Sequence, residues 1–279
     1  MTPDGLPARR TAAGSAPAGR AAAEPVTAEA PRAVTRPLLV QQWRHVSFLH
    51  WTVDPERVAP LLPAGTRPDV LGGTSYVGVI PLLIRRTGPL GLPPIPYLGS
   101  FAETNVRLYS VGPDGRRGVV FRSLDAARLA PVLAARWGLR LPYAWDRMSV
   151  DRDGEVITYR SVRRWPRAPA SWGHRRSGMA TGTGTLLRIR IGEPIEEPSE
   201  LEHFLTARWG LHAAWHFGRP LYLQNQHPRW RLHRARLLHL EEDLIQSAGL
   251  PAPTEEPVSV LYSPGTPVRF AMPQPLADA

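Results

Sequence analysis

The sequence predicts an α+β protein, mainly antiparallel β, built around a closed or sandwich-like sheet with a few short helices. Three observations carry that expectation. Short stretches rich in β-branched and aromatic side chains recur between turn residues along the whole chain. Gly (24) and Pro (31) are so frequent among the 279 residues that helices must be short and turns many. No window approaches eighteen uninterrupted apolar residues, so neither a membrane-spanning helix nor a membrane partner is expected. With 43% hydrophobic and 21% charged residues, the chain can bury a sizeable core.

Residues 1–36 are almost wholly Ala, Pro, Arg, Gly, Thr and Glu, and predict a disordered tail without the apolar stretch of a secretory signal. Residues 37–279 are expected to form a single domain, a size that β-rich folds allow. Residues 42–53 (QWRHVSFLHWTV) predict a strand. Asp54-Pro55-Glu56 then supplies an N-cap, a proline at the first helical position and an acid in the first turn. Pro63-Ala64-Gly65 ends that helix early. Residues 74–84 (TSYVGVIPLLI) read as a buried strand with its glycine at a close approach. The Pro/Gly-rich loop 87–99 (TGPLGLPPIPYLG) is apolar enough to cover a pocket.

Residues 101–110 predict the next strand, and 119–124 pair back on it across VGPDGRRG. Asp125 is expected to cap a helix reaching Trp137, kinked or restarted at Pro131. Strands at 145–150 and 155–163 flank the Asp151–Gly154 turn. Residues 165–182 read as a linker or long loop, and 183–191 as a strand. Ser199-Glu200-Leu201-Glu202 is a capping box opening a helix to Trp209. Strands near 219–225 and 232–239, a helix at 241–248, and strands at 258–262 and 267–272 bring the count to about ten strands and four short helices.

Composition excludes several chemistries. Cysteine is absent, which removes disulfides, thiolate nucleophiles and Cys-ligated metal centres. All 34 basic residues are arginine, so the chain has no side-chain amine for a Schiff base. The net charge of +10 comes from scattered arginines with no groove-reading motif, and no nucleic-acid partner is expected. HExxH, GxSxG, phosphate-loop and GxGxxG signatures are all missing. His203, His212 and His216 have spacings that a metal could use, and His227, His233 and His239 alternate with arginines. Surface or supporting histidines explain them more simply, so neither a metal nor another cofactor is expected. A cytoplasmic protein is expected, and a homo-oligomer is left open.

By the period of two, the strand 101–109 presents Phe101, Glu103, Asn105, Arg107 and Tyr109 on one face and Ala102, Thr104, Val106 and Leu108 on the other. Pattern alone suits a solvated polar face, with Glu103 and Arg107 an ordinary pair contributing at most about 1 kcal/mol.

The ordered motifs HWTVDPERVAPLLPAG (50–65), TSYVGVIPL (74–82), SFAETNVRLY (100–109), FRSLDA (121–126) and GLRLPYAWDRMSV (138–150) resemble the YqjF-like family of domains of unknown function. ELEHFLTARWGLH (200–212) and NQHPRWRLHRA (225–235) resemble its later blocks, so the likeness spans residues 40–272. That family is related to the acetoacetate decarboxylase superfamily. The resemblance implies a closed, double-layered β-barrel or cone around an internal cavity. The superfamily's decarboxylases carry a Schiff-base lysine just after a proline; the matching positions after Pro142 are Tyr143 and Ala144. It therefore implies loss of the imine mechanism and retention of a pocket glutamate as Glu103. The early-strand arginine has no match within LHWTV (49–53).

On this reading Glu103 is an acid/base candidate. Tyr143 is either a donor to a carbonyl or enol oxygen or a pocket wall. Arg107 either holds Glu103 ionised or clamps a substrate carboxylate, and Asn105, Trp51 and Phe101 complete the substrate-binding candidates. The expected ligand is a small keto or enol acid. Two function classes stand open: a lysine-independent acid–base enzyme and a non-catalytic small-molecule binder.

Overall fold

The computed structural model describes residues 21–165, 183–215 and 218–276. In chain order the strands are β1 (Leu39–Val53), β2 (Arg67–Pro68), β3 (Ser75–Pro89), β4 (Phe101–Val111), β5 (Arg117–Ala126), β6 (Tyr143–Asp153), β7 (Val156–Trp165), β8 (Gly184–Pro194), β9 (Gly210–Ala214), β10 (Pro220–Gln226), β11 (His233–Glu242), β12 (Ser259–Phe270) and β13 (Gln274–Pro275). Helices α1 (Pro55–Val58), α2 (Leu129–Gly138), α3 (Glu200–Thr206) and α4 (Leu244–Ser247) interrupt them.

Local chemistry accounts for most boundaries. The Asp54 carboxylate accepts the Glu56 amide at 2.8 Å and starts α1. Ser199 and Glu202 exchange the reciprocal bonds of a capping box at the start of α3. Gly154, at φ 55°, closes the β6–β7 hairpin in the left-handed region. Among the described residues no helix is long and apolar enough to cross a membrane.

Among the described residues all strands join one mainly antiparallel sheet of 13 strands; parallel pairings occur where β5 meets β6 and β9. The pairing closes on itself twice. One circuit runs β5-β6-β7-β8-β11-β12-β1-β3-β4 and returns to β5. The other leaves β12 through β10 and β9 to reach β5. The two share the wall β12-β1-β3-β4-β5. Leu49, Trp51, Val77, Val79, Val106 and Leu108 on one face of that wall pack with Ile157, Tyr159, Leu187 and Ile189 of β7 and β8. The opposite face packs Phe48, Leu82 and Phe101 with Trp230, and Tyr76 and Tyr109 with Phe204 and Leu211.

Several expectations need correction. Asp125 caps no helix: β5 runs through Ala126, and Asp125 is fully buried beside Arg163. Helix α2 starts only at Leu129, which puts Pro131 in its first turn, where a missing N–H costs nothing. Residues 210–214 form a strand rather than part of a helical metal site, and the two predicted C-terminal strands are one continuous β12. The tail also needs revision. Residues 21–36 contain no helix or strand but dock on the sheet. Val34 is buried and its amide donates to Gln226 at 2.8 Å, the Glu24 amide donates to Gly115 at 2.9 Å, and Trp209 donates to the Thr27 carbonyl at 3.2 Å. Hydrogen bonds to its backbone, from side chains of Gln226 and Trp209 and from the β4–β5 turn, hold a segment whose composition offers little to bury. Residues 1–20 and most of the predicted linker 165–182 lie outside the described residues.

Candidate active site

All eleven residues of β4 are buried, so its polar face is not a solvated one. Covering elements on both sides of the wall bury it. Glu103 lies opposite Leu82 of β3 and Ala126 of β5, two members of the apolar cluster that also holds Phe101 and Phe48. The parallel start of β6 sets Tyr143 beside Leu124, and its phenol donates to Glu103 Oε2 at 3.0 Å. Burial pushes the Glu103 carboxyl up from 4.5 to about 7; the Tyr143 bond opposes that rise and the nearby Asp125 adds to it. Burial, reinforced by the Glu103 charge, holds the Tyr143 phenol well above its ordinary 10.

Arg107 does not pair with Glu103. Its Nε donates to Tyr109 Oη at 3.1 Å and its Nη2 to the Leu205 carbonyl at 2.7 Å. Tyr109 also reaches the Leu205 carbonyl, at 2.9 Å, while Arg208 donates to the Phe204 carbonyl at 2.8 Å and Trp230 to that of Thr206 at 3.1 Å. These groups satisfy the carbonyls left open at the C-terminal end of α3, where cations are also favoured by the helix dipole. The guanidinium of Arg107 lies 5.6 Å from the Phe48 ring and 5.5 Å from that of Tyr109. Among the described residues it forms no ion pair, and its hydrogen bonds run only from Nε and Nη2, leaving Nη1 without a partner.

Sequence reasoning missed His50. It is fully buried, and its Nε2 lies 2.7 Å from Tyr109 Oη. Nε2 and Tyr109 Oη share one hydrogen bond, and the buried Nδ1 on the other side of the ring has no partner among the described residues. Burial, with Arg107 and Arg208 adding to it, keeps the ring neutral. The available signal was Gly78: a Cβ there would sit 2.9 Å from the His50 ring, so the glycine of TSYVGVIPL marks where that ring crosses β3. His227 was noticed but not placed; its ring lies 4.5 Å from that of Trp209 and 4.7 Å from that of Trp230.

Phe101 and Asn105 share the Glu103 face, and Asn105 Oδ1 is buried without a partner. Trp51 does not join them. It follows His50 on β1 and so points through the opposite face, into the core with Val77 and Leu108, where its indole donates to the Glu255 carbonyl at 3.0 Å. Trp51 borders a separate cavity of about 340 Å³ with Arg57 and Pro251. Among the described residues no cluster of three metal-ligating side chains occurs. His212 lies on β9 with Nδ1 2.8 Å from Ser110 Oγ, and His216 lies outside the described residues.

A family model described as an uncharacterized conserved protein, DUF2071, matches residues 40–267. Uncharacterized protein YqjF of Bacillus subtilis (strain 168) is 28% identical over 222 residues, which is 79% of this chain and 86% of that protein. The fold is similar to that of the enduracididine biosynthesis enzyme MppR complexed with pyruvate. That likeness has a TM-score of 0.58 and 13% identity, covering 89% of this chain and 94% of that one. It is also similar to the acetoacetate decarboxylase of Legionella pneumophila, at a TM-score of 0.55 and 13% identity over 89% and 92%. An acetoacetate decarboxylase-like enzyme from Sphingomonas wittichii gives 0.55 and 12% over 86% and 93%. The fold is thus acetoacetate decarboxylase-like.

Proposed function

The chain belongs to the DUF2071 family, and from that premise we propose that it binds a small keto or enol acid beside Glu103 and transfers a proton on it without forming an imine. One observation carries this reading: a buried carboxyl poised at about 7 accepts a hydrogen bond from the phenol that follows Pro142. A carboxyl titrating near neutrality is present in both forms at working pH, so it can take a proton from a carbon next to a carbonyl and return it. Tyr143 stays protonated and can turn its O–H toward the enolate oxygen as charge develops there. Arg107, a buried cation bonded only to neutral groups, supplies the counter-charge for a substrate carboxylate through Nη1. Asn105 stands between the two on the same face. No lysine is available, so the carbanion must be stabilised by hydrogen bonding and charge rather than by an iminium.

Pyruvate in the structure of MppR, a neighbour in fold, makes pyruvate the first acid to test. Incubation in deuterated water with the wild-type protein should wash deuterium into its methyl group, read by NMR. Glu103→Gln should slow that exchange by about 10²–10⁴-fold. Equal exchange by wild type and Glu103→Gln would remove the role of Glu103. A ligand-dependent rise in melting temperature with no exchange would reassign the site to binding alone.

A further inference from the structure

Beyond Glu103, a cavity of about 460 Å³ lies between the apolar loop at Tyr97 and Leu98, the start of α2 and the strands β6 and β7. Three cations stand on its wall: Arg128, Arg147 and Arg164. None of the three forms an ion pair among the described residues. Arg128 reaches only the Ala127 carbonyl, at 3.5 Å, and its Nε is buried without an acceptor. Aromatic rings set two of the guanidiniums: Arg128 lies 4.2 Å from the Tyr97 ring centre and Arg164 5.4 Å from that of Trp145. Among the described residues Asp146 is the single carboxyl on this wall. It is buried, and desolvation together with the neighbouring Asp125 carboxyl pushes it well up from the ordinary carboxylate range against the opposing pull of Arg163, which disfavours a negative charge on Asp146.

The backbone contributes in the same sense. Arg128 occupies the cap position of α2 with no side chain accepting the first-turn amides, and that turn holds no acid. The positive end of a ten-residue helix therefore faces the same cavity as three unpaired guanidiniums. Arg128 is half-buried and Arg147 and Arg164 are exposed, so the three stand as like charges around one cavity, and an anion placed among them relieves their mutual repulsion.

We infer that this cavity is a binding site for a small polyvalent oxyanion, held by Arg128, Arg147 and Arg164 and by the amide end of α2. Carboxylate and phosphate groups share the required chemistry, since each takes paired N–H donors from a guanidinium fork. The site does not include Glu103, so it stands or falls independently of the proton-transfer reading.

Calorimetric titration of the full chain at fixed ionic strength tests it, with citrate as the carboxylate arm and pyrophosphate as the phosphate arm. Saturable binding of one equivalent is expected in at least one arm, and the tighter arm identifies the group. Arg128→Gln and Arg164→Gln should each weaken it by about tenfold or more. Arg147→Gln, at an exposed position where folding is not at risk, should weaken it in the same direction. Arg236→Gln, an exposed arginine on β11, should leave it unchanged. Absence of saturable heat in both arms, or equal weakening by Arg236→Gln, would show a diffuse effect of net charge and overturn the site.

Discussion

Glu103 is held where its proton is worth more to the folded protein than to the unfolded chain. Apolar neighbours withdraw the carboxyl from water, and one phenol cannot replace the lost hydration. Because the folded value of about 7 lies above the ordinary 4.5, the native state binds the extra proton between these limits. Stability contributed by this group is complete below about pH 4.5, falls as pH rises through 7, and is level above that. The difference is on the order of 3 kcal/mol. Glu103→Gln should therefore gain stability over the wild type at pH 8 and gain little at pH 4.5, as measured by urea unfolding at both. A gain equal at the two pH values would contradict the assignment. Tyr143→Phe removes the bond that favours the ionised form, and should raise the Glu103 titration further, read by carboxyl infrared absorption.

At the scale of elements, β5 and β7 both pair with β6 through the backbone and are joined to each other by charge. Arg163 of β7 pairs with Asp125 of β5, donating from Nε at 2.6 Å, and its Nη2 reaches Ser123 at 2.9 Å. Ser123 donates to the second Asp125 oxygen at 2.5 Å. Arg163→Met would strand the Asp125 charge in the interior, and equilibrium unfolding should show a loss of about 3–5 kcal/mol. A loss under about 1 kcal/mol would mean that water reaches the pair. This same cluster explains where the sequence was opaque. An aspartate before an Ala/Leu run has the signature of a helix cap, and only the distant Arg163 keeps Asp125 within a strand. By contrast Asp54, Ser199 and the Asp151–Gly154 turn were legible because their partners lie within three residues. GLHAA (210–214) has no β-branched residue, so β9 exists through its ladder with β10 and was not seen. The two faces of β4 were legible from alternation. Burial of the polar face followed from the family resemblance and not from the pattern, because Tyr143, Leu205 and His50, which bond to that face, come from remote segments. Trp51 was named among the substrate-binding candidates, and the parity of β1 sends it elsewhere.

At the scale of the molecule, the shared wall β12-β1-β3-β4-β5 has consequences for cooperativity. Each circuit of strands closes only by using that wall, so neither the core on the β7–β8 side nor that on the β9–β10 side can be lost without exposing one of its faces. Leu187 and Phe204 are fully buried on opposite sides of it. Leu187→Ala should cost about 2–5 kcal/mol and Phe204→Ala about 3–5 kcal/mol, from lost burial and the cavity left behind. If the wall couples the two cores, each substitution should lower amide hydrogen-exchange protection on both sides by the same free energy. The amides of β7 and β8 and those of β9 and β10 report the two sides separately in one experiment. Loss of protection confined to the substituted side would mean that the circuits open independently, and that the wall survives with one face bare.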